Sequence, residues 1–150
     1  MNPASDIVNA PILYKVGDKT YEVSALSNED LGVMTRLVQF YEYNTLLQLP
    51  NVSQELKDKT FLECLRKVVS PSGEQYAAIT TSPQGDAEYA YLSLRHKHPT
   101  ITREEVNAFP PLDVVNISRY AQLLCHPPTE ETKKKIAAVR AQLAEIGRLA

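Results

Sequence analysis

The chain has 150 residues, of which 43% are hydrophobic, enough for a buried core in one domain without disulfides or a metal. The formal net charge is −2, so the sequence has no polybasic field that would attract phosphate backbones or anionic lipids. Composition therefore predicts no nucleic acid and no membrane among the partners.

The first ten residues give no targeting signal. They contain Asp6 and other polar residues, but no basic region followed by a long apolar run, so export is not expected. Further along, charges interrupt every long segment well before the roughly 20 apolar residues needed to span a bilayer. We therefore expect a soluble protein of the cytoplasm.

Two short segments rich in β-branched and aromatic residues come next, at residues 12–16 and 20–23, joined through Gly17-Asp18-Lys19. This pattern predicts a β-hairpin over about residues 12–23. Because an isolated hairpin is marginal in water, it must pack on the helical part of the protein or pair with strands of another chain.

The next segments show helical periodicity. Ser27 with Asp30 resembles a capping box, and apolar residues then recur at helical spacing as far as Leu47. This predicts one long core helix with a wide apolar face. Ser53 precedes a second amphipathic helix, and a short helix is predicted over residues 72–80 with Ser72 as its cap.

Prolines mark the ends of the later helices. A helix is predicted over about residues 86–97, because the residue before Pro99 is displaced from the α region. Thr102 and Glu105 then form a capping box for a short helix. Another helix is predicted over about residues 111–126.

After Pro127-Pro128, apolar residues lie three and four apart from Ile136 to Ala150, with lysine and arginine around them. This narrow seam predicts an amphipathic helix that either stands off the body to pair with another helix or packs on its own domain. The predicted fold is mainly α (α+β). It has a compact multi-helix domain with the hairpin, residues 1–128, and a C-terminal amphipathic helix, residues 129–150.

One cluster of histidines, Arg95-His96-Lys97-His98, raises the question of a metal site. Side chains two apart on a helix point in different directions, and the flanking cations would repel a metal ion. A solvated helix C-terminus, with cations that complement the helix dipole, explains the cluster better. We predict no metal.

The usual signals of catalysis are missing. Cys64 and Cys125 lie among apolar residues in helical patterns, where a thiol usually behaves as a small buried hydrophobe. His126 follows Cys125 directly, but adjacent residues on a helix do not face each other. Phosphate-loop, Gly-x-Ser-x-Gly and His-Glu-x-x-His motifs do not occur. The sequence thus predicts no enzyme, no catalytic residue and no cofactor.

Tyrosine is the most frequent aromatic residue, with eight copies. Tyr41-Glu42-Tyr43 and Tyr89-Ala90-Tyr91 alternate too closely for all rings to face one core, so some should lie near the surface, where tyrosine favours protein contacts. For any single tyrosine, a partly buried ring with its hydroxyl in water is the alternative. The predicted partner-binding residues, from the long helix and the C-terminal seam, are Tyr41, Tyr43, Leu47, Ile136, Val139, Leu143 and Ile146.

The order of elements is similar to a known family. Residues 91–106 read Tyr-Leu-Ser-Leu-Arg-His-Lys-His-Pro-Thr-Ile-Thr-Arg-Glu-Glu-Val, so one helix ends on His-Pro and the next begins with a Thr-capped acidic turn. Together with the early strand pair and the segment 24–31 that opens a helix, this resembles tail assembly chaperones and related small tail-module proteins of long-tailed bacteriophages. The resemblance covers roughly residues 7–125, and its motifs are structural stops and caps.

The resemblance implies a non-enzymatic protein-binding factor in the host bacterial cytoplasm. Such a factor would hold phage tape-measure and tail-tube proteins in assembly-competent form, and it allows self-association into a homo-oligomer. The competing interpretation is a structural virion protein of the phage tail or neck, which would use the hairpin and helices for subunit contacts.

Overall fold

The computed structural model describes residues 12–126 and 129–149, without the side chains of residues 147–149. The predicted mainly α fold is confirmed: in this part of the chain, eight helices follow an N-terminal antiparallel hairpin. Pro127-Pro128 and Ala150, which bound the predicted C-terminal seam, lie outside the described residues.

The elements follow one another without long gaps. The hairpin strands are β1 (Ile12–Val16) and β2 (Lys19–Val23). The helices are α1 (Asn28–Gln39), α2 (Tyr41–Leu47), α3 (Gln54–Arg66), α4 (Glu74–Thr80), α5 (Pro83–Leu94), α6 (Arg103–Asn107), α7 (Pro111–Cys125) and α8 (Glu130–Leu149).

Contacts within the chain define two compact units. Unit 1 joins the described residues up to Ser27 with those from Asp86 onward, and unit 2 is Asn28–Gly85. The predicted division fell at residue 128, whereas α8 belongs to unit 1, where it contacts β1 and α7. Unit 1 is therefore assembled from two separate stretches of the sequence.

The hairpin of unit 1 has a two-residue turn. Val16 pairs with Lys19, so β2 begins one residue earlier than predicted and Gly17-Asp18 form the connection. Gly17 has φ 60°, as the first central position of a type II′ turn requires. The alternation of strand side chains buries Tyr14 and Tyr21 on one face of the hairpin.

The core of unit 1 consists mainly of aliphatic side chains. Its hydrophobic residues with 0% exposure are Ile12, Val23, Ala90, Leu92, Leu94, Val106, Ile117 and Ala121. One polar contact is buried among the helices, where the Ser118 hydroxyl of α7 donates to the Asp86 carboxylate of α5 at 2.8 Å. Unit 1 thus combines an apolar core with a satisfied buried carboxylate.

Unit 2 corrects the prediction of one long helix from Ser27 to Leu47. The helix is interrupted at Phe40 (φ −101°, ψ 12°), which divides it into α1 and α2. No proline or glycine marks this position, but the Phe40 ring packs against Phe61 of α3, with 5.6 Å between centroids. A tertiary contact, and not a local breaker, accompanies the interruption.

The predicted helix caps have different outcomes. Thr102 is confirmed as the cap of α6, since its hydroxyl accepts the Glu105 N–H at 3.2 Å. Ser53, which precedes the second predicted helix, caps α3 in the same way through the Leu56 N–H at 3.2 Å. The Ser72 cap is wrong. Gly73 precedes α4 without a side-chain cap, and the Ser72 hydroxyl is hydrogen-bonded to that of Ser70 at 3.2 Å.

Candidate protein-binding surfaces

Unit 1 contains a groove of about 1020 Å3 beside its hairpin. Residues of β1 and its turn, of α7 and of the C-terminal half of α8 line it. We call it the hairpin groove. The lining residues used below are Leu13, Tyr14, Lys15, Tyr120, Leu143 and Ile146.

A polar cluster lies in this groove. The Tyr14 hydroxyl donates to Asp113 Oδ1 at 2.7 Å and accepts from Asn116 Nδ2 at 3.1 Å. The Tyr14 ring also packs against Tyr120, with centroids 5.9 Å apart. The cluster fixes the Tyr14 ring between β1 and α7.

Burial raises the pKa of the Tyr14 hydroxyl to about 12. The hydrogen bond from Asn116 opposes this rise, whereas the neighbouring Asp113 carboxylate adds to it. The phenol is therefore neutral near pH 7. In the groove it acts as a hydrogen-bond donor and an aromatic surface.

Side chains of unit 1 bond the outer edge of β2 at Glu22 and the residue just after the strand, Ser24. The Glu22 N–H donates to His98 Nε2 at 2.9 Å. Just after β2, the Ser24 N–H donates to Ser93 Oγ at 3.0 Å, and that hydroxyl donates back to the Ser24 carbonyl at 2.7 Å. These bonds leave no β2 edge for strand pairing at these positions.

The outer edge of β1 differs. In an antiparallel pair the backbone groups of alternate residues point away from the partner strand. Because Val16 pairs with Lys19 across the turn, Leu13 and Lys15 are the β1 residues whose N–H and C=O point outward. Within the described part of the chain these groups have no hydrogen-bond partner, and both residues line the groove.

Unit 2 exposes many large apolar side chains on α2, α3 and the segments that follow them. We call the following set the unit 2 apolar surface: Leu47, Leu49, Phe61, Leu62, Leu65 and Val68. Leu62 and Leu65 are 51% and 52% exposed and lie on the same side of α3 because they are three residues apart. Single exposed hydrophobes are ordinary, but a set on neighbouring helices is typical of a protein-binding surface.

The structure places the predicted residues of α2 beside this surface. Tyr41 and Tyr43 are half-buried, and the Tyr43 ring meets Phe61 edge-on with centroids 5.2 Å apart. Leu47 is 47% exposed. All three residues belong to α2, and Tyr43 serves partly as packing for α3.

The predicted residues of α8 are in unit 1 and have different environments. Ile136 is buried at 2% exposure, so it contributes to packing and presents no open surface. Val139 is half-buried. Leu143 and Ile146 line the hairpin groove, and Ile146 is 54% exposed. Part of the seam packs inside the protein and part faces the groove.

Two sequence-based expectations for polar or reactive residues need correction. His98 was explained as part of a solvated helix end, but it is half-buried, accepts a hydrogen bond from the hairpin and packs edge-on against Tyr21 at 5.1 Å. Cys64 is buried as expected, whereas Cys125 is exposed at the end of α7. The Cys125 sulfur accepts hydrogen bonds from the Leu26 N–H at 3.2 Å and the Tyr89 hydroxyl at 3.6 Å.

Within the described residues, no group of three or more histidine, cysteine or acidic side chains could hold a metal ion. None of the helices in that part of the chain combines the length and apolar character required to cross a membrane. Comparisons with protein-family models, with curated proteins and with solved structures gave no match.

Proposed function

We propose that this protein is a non-enzymatic protein-binding factor of phage tail assembly, which holds tape-measure and tail-tube proteins in assembly-competent form. Binding of apolar partner segments, and their release when the partner's own assembly buries them, would account for this activity. On this proposal the protein acts in the host bacterial cytoplasm.

The unit 2 apolar surface is the observation that carries the proposal. Its leucines are exposed in the folded chain, so a partner can bury them without any unfolding of α3. Burial of apolar area contributes about 25 cal/mol per Å2, so a few leucines provide a useful binding energy while remaining reversible.

The sequence resemblance provides the biological setting. Its strongest stretch contains Leu94, Ile101 and Val106, all of which are buried in unit 1. The Thr102 cap and the Arg103–Glu88 ion pair at 2.8 Å hold α6 at the same place. The motif therefore has a structural role, and partner binding is assigned to surfaces elsewhere.

Co-expression with a tape-measure protein encoded in the same tail module tests the proposal. We expect the wild-type chain to co-purify with this protein and to increase its soluble yield. The double variant Leu62→Lys, Leu65→Lys should lose most of the co-purification, because it puts two charges into the apolar contact.

Leu112→Lys is the matched control, since Leu112 is 70% exposed in unit 1 and belongs to neither surface. It should bind like the wild type. Failure of the wild-type chain to enrich the tape-measure protein would count against the proposal. Equal binding by all three proteins would remove the unit 2 apolar surface from it.

A structural virion protein of the tail or neck is the second candidate, and the outer edge of β1 favours it. The outward backbone groups of Leu13 and Lys15 are suited to strand addition between subunits. Mass spectrometry of purified particles separates the two candidates. A structural component should be present in stoichiometric amounts, and an assembly factor should be missing.

A further inference from the structure

The bond between Glu22 and His98 depends on the protonation state of the imidazole. The Glu22 N–H is a backbone donor, so His98 Nε2 must offer a lone pair at 2.9 Å. This requires the neutral ring with its proton on Nδ1. An imidazolium carries N–H groups at both nitrogens, so after protonation a donor would face a donor.

The packing around the His98 ring makes its hydrogen bond with Glu22 sensitive to protonation. His98 follows α5 and packs edge-on against Tyr21 of β2, and the Tyr21 ring also contacts Phe109 after α6, with centroids 5.2 Å apart. The imidazole cannot leave Glu22 without disturbing these aromatic contacts. Histidine is also the side chain that ordinarily changes charge between pH 5 and 8.

Charged and titratable side chains occur on each of these elements. On β2 they are Lys19, Tyr21 and Glu22, and Lys19 Nζ lies 5.1 Å from the centre of the Tyr21 ring. On the segment of His98 itself they are Arg95, His96 and Lys97. On α6 they are Arg103, Glu104 and Glu105. Cations therefore occur on all three elements, and carboxylates occur on β2 and α6 only.

We propose that His98 is a proton-sensitive latch for the hairpin: the neutral imidazole accepts the Glu22 N–H at the outer edge of β2, and its protonation releases that amide. The adjacent Ser93–Ser24 bonds involve no titratable side chain, so the latch acts at one position of the edge. Strand β1 of the same hairpin lines the hairpin groove. The latch therefore links protonation of His98 to the side of the groove that β1 forms. The inference does not depend on the proposed function.

Nuclear magnetic resonance of the full chain between pH 7.5 and pH 5 tests the latch. The His98 ring signals report its protonation, and hydrogen exchange reports the protection of the Glu22 and Ser24 amides. Protection of Glu22 should fall about fivefold or more as His98 gains its proton, the ratio expected for loss of one ordinary hydrogen bond. Ser24 should keep its protection through the same range.

His98→Gln is the informative variant, because a glutamine carbonyl can accept the same N–H and does not titrate. Glu22 should then be protected equally at both ends of the pH range. His126→Gln, at an exposed histidine after α7, should leave the wild-type response unchanged.

Three results would overturn the proposal. Glu22 protection could fail to follow the protonation of His98, Ser24 could lose protection in parallel, or the response could persist in His98→Gln. Should His98→Gln not fold, the comparison of Glu22 with Ser24 in the wild-type chain still decides the question.

Discussion

The two units treat their large apolar side chains differently. In unit 1 most of them are buried, including Leu92 and Ile117 at 0% exposure. Unit 2 buries Met34, Val38 and few others, and it exposes most of the large hydrophobic residues found on the described surface. Unit 1 therefore buries most of its large apolar side chains in a core, whereas unit 2 leaves many of them exposed for a partner.

The difference also extends to polar contacts. Unit 1 connects distant parts of the chain through specific side-chain bonds, such as those from Tyr14 to Asp113 and from Ser118 to Asp86. In unit 2 the contacts include the Phe40–Phe61 ring pair, a bond from Gln39 Nε2 to the Cys64 carbonyl at 3.0 Å and an ion pair between Lys67 and Glu42 at 3.6 Å. The exposed side chains of the unit 2 apolar surface are hydrocarbon, and such surfaces can accommodate partners of varied sequence.

The largest expected effect tests the contrast in burial directly. Leu92→Ala should cost about 2–5 kcal/mol in the free energy of unfolding, because it leaves a cavity in unit 1. Leu62→Ala removes the same atoms from an exposed site and should change that free energy by no more than about 0.5 kcal/mol. Urea unfolding measures both. Similar losses for the two variants would show that Leu62 is not an open surface residue.

A second pair of variants tests the close packing around Gly85 in unit 2. An alanine Cβ at Gly85 would lie 2.7 Å from Thr80 Cα and also clash with the Ile79 carbonyl, so Gly85→Ala should cost roughly 1–3 kcal/mol. Gly32→Ala is the matched control, because nothing lies within 4 Å of its added Cβ inside α1. It should stabilise the protein by about 0.5–1 kcal/mol.

Thermal unfolding of both glycine variants shows whether each substitution stabilises or destabilises the protein. Stabilisation by Gly85→Ala would contradict the close approach of residues 79–80 to Gly85. A loss of stability in Gly32→Ala would mean that Gly32 has a role other than helix continuation.

A smaller, pH-dependent effect concerns the buried carboxyl of unit 1. Burial raises the pKa of Asp86, while the hydrogen bond from Ser118 and the charge of Arg119 oppose this rise. The folded state therefore holds the proton more tightly than the unfolded state, and the charged carboxylate costs stability above the raised pKa. That cost declines as pH falls from neutral toward the range in which carboxyl groups gain protons.

Asp86→Asn removes the charge and keeps an oxygen that can accept from Ser118. We expect its stability relative to the wild type to be greatest at pH 7 and to decline as pH is lowered, measured by urea unfolding. Asp18→Asn, at the exposed hairpin turn, should show no such trend. An advantage of Asp86→Asn that grows toward acid pH would contradict burial as the main cause.

Local signals in the sequence were sufficient for the parts of the fold that neighbouring residues determine. The hairpin turn follows from a glycine between two β-rich segments, and the cap at Thr102 follows from a hydroxyl before a helical pattern. The interruption at Phe40 could not be predicted this way. The apolar pattern continues through it, and its partner Phe61 belongs to another helix.

The candidate surfaces were predictable to a lesser degree. Helical spacing identified Leu47, Leu143 and Ile146 as apolar positions, but could not separate them from Ile136, which is buried. The role of His98 depends on Glu22, which lies 76 residues away in the sequence. No spacing rule connects such residues, since tertiary packing alone brings them together.

The discontinuity of unit 1 has a consequence for its synthesis. The hairpin is synthesised before the side chains that it bonds, since Ser93 and His98 follow 69 and 76 residues after their hairpin partners. Asp113, which accepts the hydrogen bond from Tyr14, is synthesised still later, 99 residues after Tyr14. The nascent hairpin is thus exposed while the whole of unit 2 is translated, and contacts between such distant residues form slowly. Unit 2, being continuous, can complete its own contacts first.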